Sequence, residues 1–507
     1  MKAQILSVQW PNYINLAEPS NFETQARNRR YQLLAQSAQA AEIKHLFVGH
    51  HLDDQIETTL MRTIRSGPSL LSFRGIAQLS RIPVQEGDLR TLCGSSQLQE
   101  LVPWSVEAQN MRLASEGSIE KLRGEPTHDL RINTCGGRIS VANGLDMKLC
   151  RPLLGFPKSR ILSTCEENSI PFVTDPTNMD ARLTLRNAIR FLRANHNLPH
   201  ALSDTSLLHM HQISARRSVS AKRRSQRHMQ TAQVTRIDLR SGAITVRIPR
   251  GSNAISSNNR KSLDIFLGSL LELVRPARAD SQNTTGTEDV EDILQKMTEA
   301  SMSPRPDAKP ERFSLAKVLL TRVDQRSLVA QNASHITWRL SRQPFSRHEQ
   351  EAALTKSFVC QQTSSPGTNT EQMWSDWVFW DKRYWFRIHC NQLVYLQNCI
   401  VRPYREADVQ NLYHQLSWKH RELGTKLRAI MNDAAPGDDR WSLPVIVDAV
   451  GLRAFPTLGI RLPQTAGEVE ADTAGLICWE VRYKYMDPEI LKQFTAPRGS
   501  GTHLRMV

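Results

Sequence analysis

Residues 50–59 read HHLDDQIETT and set two imidazoles, His50 and His51, beside three carboxylates, Asp53, Asp54 and Glu57. Side chains of these types bind cations, hold phosphates through a metal, or move protons. Part of the set has an ordinary structural use. Asp54 can cap a helix that starts at 53 or 54, with Glu57 three residues on as its capping-box partner. That account leaves His50, His51 and Asp53 without a task. Two chemical readings stay open on local sequence. One is a divalent-metal centre of His50, His51, Asp53 and Asp54, as in a metal-dependent hydrolase. The other is a site that handles the magnesium and phosphates of a nucleotide while its carboxylates hold a cationic substrate. Hard oxygen ligands suit magnesium, and a carboxylate pair suits an ammonium group.

Arginines recur at helical spacing elsewhere. Arg27 and Arg30, in ETQARNRRY, are three apart and share a helix face. In DPTNMDARLTLRNAIRFLR, Arg182, Arg186, Arg190 and Arg193 fall at i, i+4, i+8 and i+11 as one basic stripe, with Leu185, Ile189 and Leu192 on another side. A solvated helix face explains such a stripe as well as phosphate contact does. The chain as a whole carries 65 Lys and Arg against 50 Asp and Glu, a formal net charge of +15. A basic balance of that size suits a polyanionic partner, nucleic acid first. The run ARRSVSAKRRSQRH, 215–228, has six Lys and Arg and no acid. It is either a solvated basic loop or an RNA backbone contact through Arg223 and Arg224.

These residues need elements to position them. AQILSVQW reads as a short strand and NFETQARNRRYQLLAQSAQAAEI as an amphipathic helix. KHLFVG is a short apolar strand and DDQIETTLMRTIRSG a second helix. Strand, helix, strand, helix favours a parallel α/β sheet, and ligands of open α/β sheets bind beyond the C-terminal strand ends. HLFVG delivers His50 and His51 to such an end. The expected division is an α/β domain at 1–198 with an irregular insertion at 85–145. A mainly helical region at 199–345 follows, with a linker at 279–313, and then an α+β domain at 370–495. QQTSSPGTNTEQ, 361–372, has the composition of a flexible joint. Trp374, Trp377, Trp380 and Trp385, interleaved with Lys382, Arg383 and Arg387, suit a compact β-domain core better than base stacking.

The eight cysteines are scattered and form no C-x-x-C pair. That argues against a structural zinc site or a disulfide framework, and for a reducing compartment. No run approaches the ~18 consecutive apolar residues of a membrane span, so no membrane partner is expected. MKAQILSVQW has neither signal-peptide nor transit-peptide character.

Four segments, NFETQARNRRY, GHHLDDQIETTLMRTIRSG, RPLLGFPKSRI and DPTNMDARLTLRNAIR, in this order resemble the tRNA(Ile)-lysidine synthetases, which are N-type ATP pyrophosphatases of the PP-loop class. The resemblance covers about residues 21–195, and the Trp-rich C-terminal region is similar to the longer fungal members. It implies that ATP adenylates the C2 oxygen of the wobble cytidine in an isoleucine tRNA with a CAU anticodon, and that free lysine then displaces AMP. ATP and Mg2+ are the implied cofactors. Asp54 and Glu57 would face the lysine and the magnesium-nucleotide, with Asp54 as the magnesium ligand. His50, His51 and Asp53 would shape the same crevice, and Arg27 and Arg30 would steady phosphates or the adenylate. Asp175, Asn178, Arg186, Asn187 and Arg190 match a motif that closes the catalytic domain, in a structural or tRNA-contacting role. Arg182, Arg186, Arg190, Arg223 and Arg224 are the candidate tRNA contacts. The implied compartment is the mitochondrion for a eukaryotic source and the cytoplasm for a bacterial one.

The sequence departs from the family at one place. The family opens with a strand followed by SGGxDS, a Gly-rich turn whose N–H groups hold the pyrophosphate end of ATP. No such motif occurs in the 507 residues; TCGGRIS at 134–140 and RSGPS at 65–69 lack its aspartate and serine. The expectation is an α/β domain incomplete at its N-terminus, from a shortened form of the chain that leaves strand edges unpaired. The alternative is a catalytically inactive tRNA-binding remnant.

Overall fold

The computed structural model describes residues 5–8, 19–67, 72–83, 139–141, 147–250, 260–276, 290–298, 311–323, 335–346, 349, 354–358, 374–389, 399–416, 420–449, 451–462, 477–484, 486–495 and 505–506. Most of the 85–145 insertion, most of TCGGRIS and all of the 361–372 joint lie outside them.

Helix α1 (Pro19–Ala40) places Tyr31, Ala35 and Ala38 on one face, buried with Ile82, Met147 and Leu149. Strand β1 (His45–Phe47) and helix α2 (Leu52–Ser66) follow. Then come β2 (Leu79–Arg81), β3 (Ser140–Val141) and β4 (Lys148–Cys150). β1 and β4 pair in parallel, Leu46 opposite Leu149, while β2 joins β4 antiparallel, giving the order β1-β4-β2. The first domain is therefore α/β, with β1 and β4 the parallel pair of its three-stranded sheet; β3 pairs in parallel with a more distant strand, Cys478–Tyr483. Of AQILSVQW, residues 5–8 have no regular structure, and Ile5 is 94% exposed. An extended segment with no neighbour has no ladder to join, so the strand expected there is not formed by these residues.

Helices α3 (Lys158–Glu167), α4 (Leu185–Asn195) and α5 (Asp204–Thr231) complete this part. Helix α4 starts later than ARLTL suggests because Thr184 caps it, its hydroxyl accepting from the Asn187 N–H at 3.1 Å. Arg182 therefore stands in the turn before the helix, 95% exposed and paired with Asp180 at 3.7 Å, off the stripe assigned to it. A thin apolar seam of Ile56, Leu60, Ile189 and Leu207 joins α2, α4 and α5.

Beyond α5 the chain runs through β5 (Gln233–Asp238), β6 (Ala243–Pro249), α6 (Arg260–Glu272), α7 (Val290–Thr298), β7 (Arg312–Leu315), β8 (Val318–Arg322) and β9 (His335–Arg342). It continues with β10 (Lys356–Ser357), β11 (Val378–Trp380), β12 (Tyr384–His389), β13 (Ile400–Pro403), α8 (Glu406–Gln415), α9 (Arg421–Ala434), β14 (Pro444–Val447), β15 (Leu452–Phe455), β16 (Ile460–Arg461), β17 (Cys478–Tyr483), α10 (Pro488–Thr495) and β18 (Arg505–Met506). Three sheets result, ordered β18-β5-β6-β9-β8-β7, β11-β12-β17-β3 and β10-β13-β14-β15-β16.

The region 199–345 thus holds two long helices around a sheet, where a mainly helical build was expected. Alternating burial along β8 (Val318, Leu320 and Arg322 inward) marks a strand with one covered face. Within the expected linker 279–313, residues 290–298 form α7, whose Ile293, Leu294 and Met297 are buried in the main core. That part of the linker reading is corrected: a polar helix with one apolar face has the average composition of a linker. Trp380 and Trp385 are core residues. No helix among the described residues is long and apolar enough to cross a membrane.

Candidate active site

The end of β1 leads through His50 and His51 into α2, so the carboxylates occupy the first turns of that helix. His51, not Asp54, is the N-cap residue. Asp54 sits at the third helical position and returns the capping bond, its Oδ2 accepting from the His51 N–H at 3.0 Å. Glu57 takes no part in the cap, which corrects the capping-box pair inferred from sequence.

Glu57, 1% exposed, is engaged instead by α4: Arg190 Nε donates to its Oε1 at 2.7 Å. Arg186 Nη1 donates to Asp54 Oδ1 at 3.1 Å, and its Nε lies 3.8 Å from Glu57 Oε2. Arg193 reaches Asp53 at 3.2 Å and also pairs with Asp204 at the start of α5. Three positions of the α4 stripe therefore meet three carboxylates of α2. Spacing explains the match: Glu57 lies four and three residues from Asp53 and Asp54, and Arg186, Arg190 and Arg193 are four and three apart, so each set shares a helix face.

RPLLGFPKSRI closes the same crevice. The first N–H of α3, on Lys158, donates to Asp53 Oδ2 at 2.8 Å. Burial raises the Asp53 pKa, but this bond and Arg193 outweigh it and hold the carboxyl below its usual range. Arg151 is buried and ties Ala77 O and Ser80 Oγ at 2.8 and 3.0 Å. Burial pushes the His50 imidazole below its usual pKa; Asp54 opposes this, while Arg151, Arg186 and Arg27 reinforce it. His50 is thus a neutral ring near pH 7.

Asn187, also buried, fastens the DPTNMD turn to α4 by donating to Thr177 O at 2.9 Å and Asp180 O at 3.0 Å. Asp175 caps that turn by accepting from the Thr177 N–H at 2.9 Å, and Asn178 lies within it. The described contacts of Asn187 and Asp175 lie within this turn and its junction with α4.

Sequence reasoning missed the role of Gln55. Its Oε1 accepts from the Ile76 N–H at 2.6 Å, and its amide meets His211 Nε2 of α5 at 2.9 Å. His211 Nδ1 lies 3.0 Å from Phe73 O. A carbonyl only accepts, so Nδ1 carries the proton and Nε2 accepts from Gln55. Gly75 passes over Gln55 at φ +60°, and a Cβ there would fall 2.6 Å from the amide nitrogen. This network fixes α2 against the turn at 72–77 and against α5. Its only local signal is the GlnxGlu spacing within DDQIE; His211 is 156 residues away.

Arg27 and Arg30 lie on the exposed side of α1, each stacked on Tyr31 at 5.7 and 5.8 Å. Arg27 alone is within electrostatic reach of His50. Arg223 and Arg224 are exposed on the far half of α5, roughly 30 Å along the helix from Asp204 at 1.5 Å per residue, and are not brought to the carboxylates. The metal-centre reading is not supported by the geometry: among the described residues no three His, Cys, Asp or Glu groups gather as a cage. Each oxygen of Asp54 already accepts one hydrogen bond, which leaves a single lone pair on each to face a magnesium ion.

The fold and these motifs define the class. Residues 3–90 and 106–196 match the family model of the PP-loop domain. It is 25% identical over 465 residues to a probable tRNA(Ile)-lysidine synthase of Schizosaccharomyces pombe, covering 90% of this chain and 77% of that protein. The tRNA(Ile)-lysidine synthase of Bradyrhizobium diazoefficiens is 24% identical over 159 residues, 31% of this chain and 27% of its own length. That of Rhodopseudomonas palustris is 25% identical over 165 residues, 32% and 30% of the two chains.

Proposed function

We propose that the chain attaches lysine to the wobble cytidine of an isoleucine tRNA with a CAU anticodon, at the expense of ATP. One observation carries the reading: the α2 carboxylates and the α4 arginines meet at the C-terminal end of β1, with arginine side chains still 27 and 31% exposed at Arg186 and Arg190. In the first step the C2 oxygen bonds to the α-phosphorus of ATP and pyrophosphate leaves. In the second the lysine amine bonds to C2, the C–O bond to AMP breaks, and the amine releases a proton. Activation is required because the oxygen is a poor leaving group without its phosphoryl bond.

The residues divide the work by charge. Arg186 and Arg190 offer donors to phosphoryl oxygens, and Glu57 and Asp54 orient them. Asp53 and Asp54 hold the lysine side chain and take its proton, since only the neutral amine attacks. Neutral His50 shapes the crevice without adding to its positive charge. Magnesium enters, on this reading, as the counter-ion of the nucleotide phosphates, and no step here depends on it. Arg27 steadies phosphates near His50, and Arg223 and Arg224 contact tRNA away from the reacting base. The compartment follows the reaction: mitochondrial in a eukaryote, cytoplasmic in a bacterium.

A second reading, tRNA binding without ligation, is supported by the formal net charge of +15, which suits a polyanion whether or not it is modified. Nucleoside mass spectrometry of a CAU transcript incubated with protein, ATP and lysine separates the two. Ligation predicts lysidine in the digest; a bound but unmodified transcript would establish the second reading.

A further inference from the structure

Four cations outside the carboxylate–arginine set converge from four elements. Arg27 comes from α1, Arg62 from α2, Arg74 from the 3-10 turn Ser72–Arg74, and Lys261 from the first turn of α6. Arg62 Nη1 donates to Gly75 O at 2.6 Å, which seats its guanidinium beside the backbone of Arg74. Helix α5 packs against both the 72–74 turn and α6 and so brings Lys261 to the same side. Among the described residues none of the four makes an ion pair, in contrast to Arg186, Arg190 and Arg193. Lys261 Nζ is shielded from solvent and has no hydrogen-bond partner, a state that an arriving anion would relieve.

The electrostatics agree with the geometry. Burial, then Arg74, lowers the Lys261 pKa, with Asp264 opposing. Burial, then Arg74 and Arg27, lowers that of Arg62. Arg27 acts on His50 as well, so the row starts at the candidate active site and leads away from it toward α6.

We propose that Arg27, Arg62, Arg74 and Lys261 form a track for the phosphodiester backbone of the RNA whose base enters the carboxylate site. The proposal rests on the function proposed above and adds the surface by which that RNA is held. A row of separated cations suits a repeating single negative charge, and backbone contacts of this kind fix register without reading sequence. Free pyrophosphate is the competing anion.

The test is the salt dependence of binding a fluorescent CAU-anticodon tRNA transcript to the full chain. Arg74→Gln and Lys261→Gln should each reduce the slope of log K against log salt by about 0.7–0.9, and Arg74→Lys should retain the wild-type slope. Arg74 is exposed, and Lys261→Gln removes an unpaired buried charge, so folding is not at risk in either. Wild-type slope and affinity in the double variant would overturn the track while leaving the ligation reading intact. So would loss of pyrophosphate binding with RNA binding unchanged, which would reassign the site to a free anion. A wild-type protein that binds no transcript would sink both.

Discussion

Around Arg383 each guanidinium nitrogen has an acceptor; around Glu57 several polar atoms have none. Arg383 is fully buried and donates to Asp381 Oδ2 at 2.5 Å and to Ser241 O and Ser442 O, each at 3.0 Å. Nearby, Arg339 Nε and Ser341 Oγ both donate to Asp439, at 3.0 and 2.9 Å. In the α2–α4 crevice, Glu57 Oε2, Arg186 Nε and His50 Nδ1 are shielded from water without a hydrogen-bond partner. Both regions set arginine against carboxylate, so the pairing alone says little about function. A closed network joins sheets. One that is open toward solvent, with unmet polar capacity, has room for a ligand.

Four variants bear on that contrast. Arg383→Leu removes the nearer of the two arginines on buried Asp381, leaving it Arg342 at 3.3 Å, strips Ser241 O and Ser442 O of their donor, and should cost about 3–5 kcal/mol of stability. Denaturant unfolding measures this, and lysine transfer per folded molecule should stay at the wild-type level; a small cost would mean that the network is not architectural. Glu57→Gln should do the opposite, lowering the initial rate of lysine transfer by about 10²-fold or more with the protein still folded. An unchanged rate would remove Glu57 from the site.

Thr184→Ala tests the link between them. Losing the α4 cap should cost about 1 kcal/mol, read by chemical denaturation, and should slow transfer because the cap fixes where Arg186 begins its turn.

The smallest effect on stability is expected from Asp53→Asn. The folded-state pKa of Asp53 lies below the unfolded value, with burial opposing and the Lys158 N–H and Arg193 prevailing. Its contribution is therefore present above the unfolded carboxylate pKa and is lost as pH falls through the folded value. Wild type should exceed the variant in stability at neutral pH, and the gap should close in the acid range. A gap independent of pH would show that the Asp53 charge is not what α3 and α4 hold.

The residues of the crevice were legible because both partners follow helical spacing: 53, 54 and 57 on α2, and 186, 190 and 193 on α4. What failed was the start of α4, because Thr184 stops the periodic pattern and leaves Arg182 outside it. His211 was invisible for a different reason: nothing near it in sequence indicates a partner on α2. The six-stranded sheet was obscured by the long helices that flank it, since strands of two to eight residues carry little periodic signal beside a 28-residue helix. Helix α7 was lost in acidic and polar surroundings although Ile293, Leu294 and Met297 mark its buried face.

The most direct test measures incorporation of labelled lysine into a CAU-anticodon isoleucine tRNA transcript, with and without ATP, alongside binding of the same transcript. The account predicts ATP-dependent incorporation by the wild-type chain that Glu57→Gln abolishes while transcript binding persists. Tight binding with no incorporation by the wild type would contradict it and leave the crevice as an RNA-holding surface.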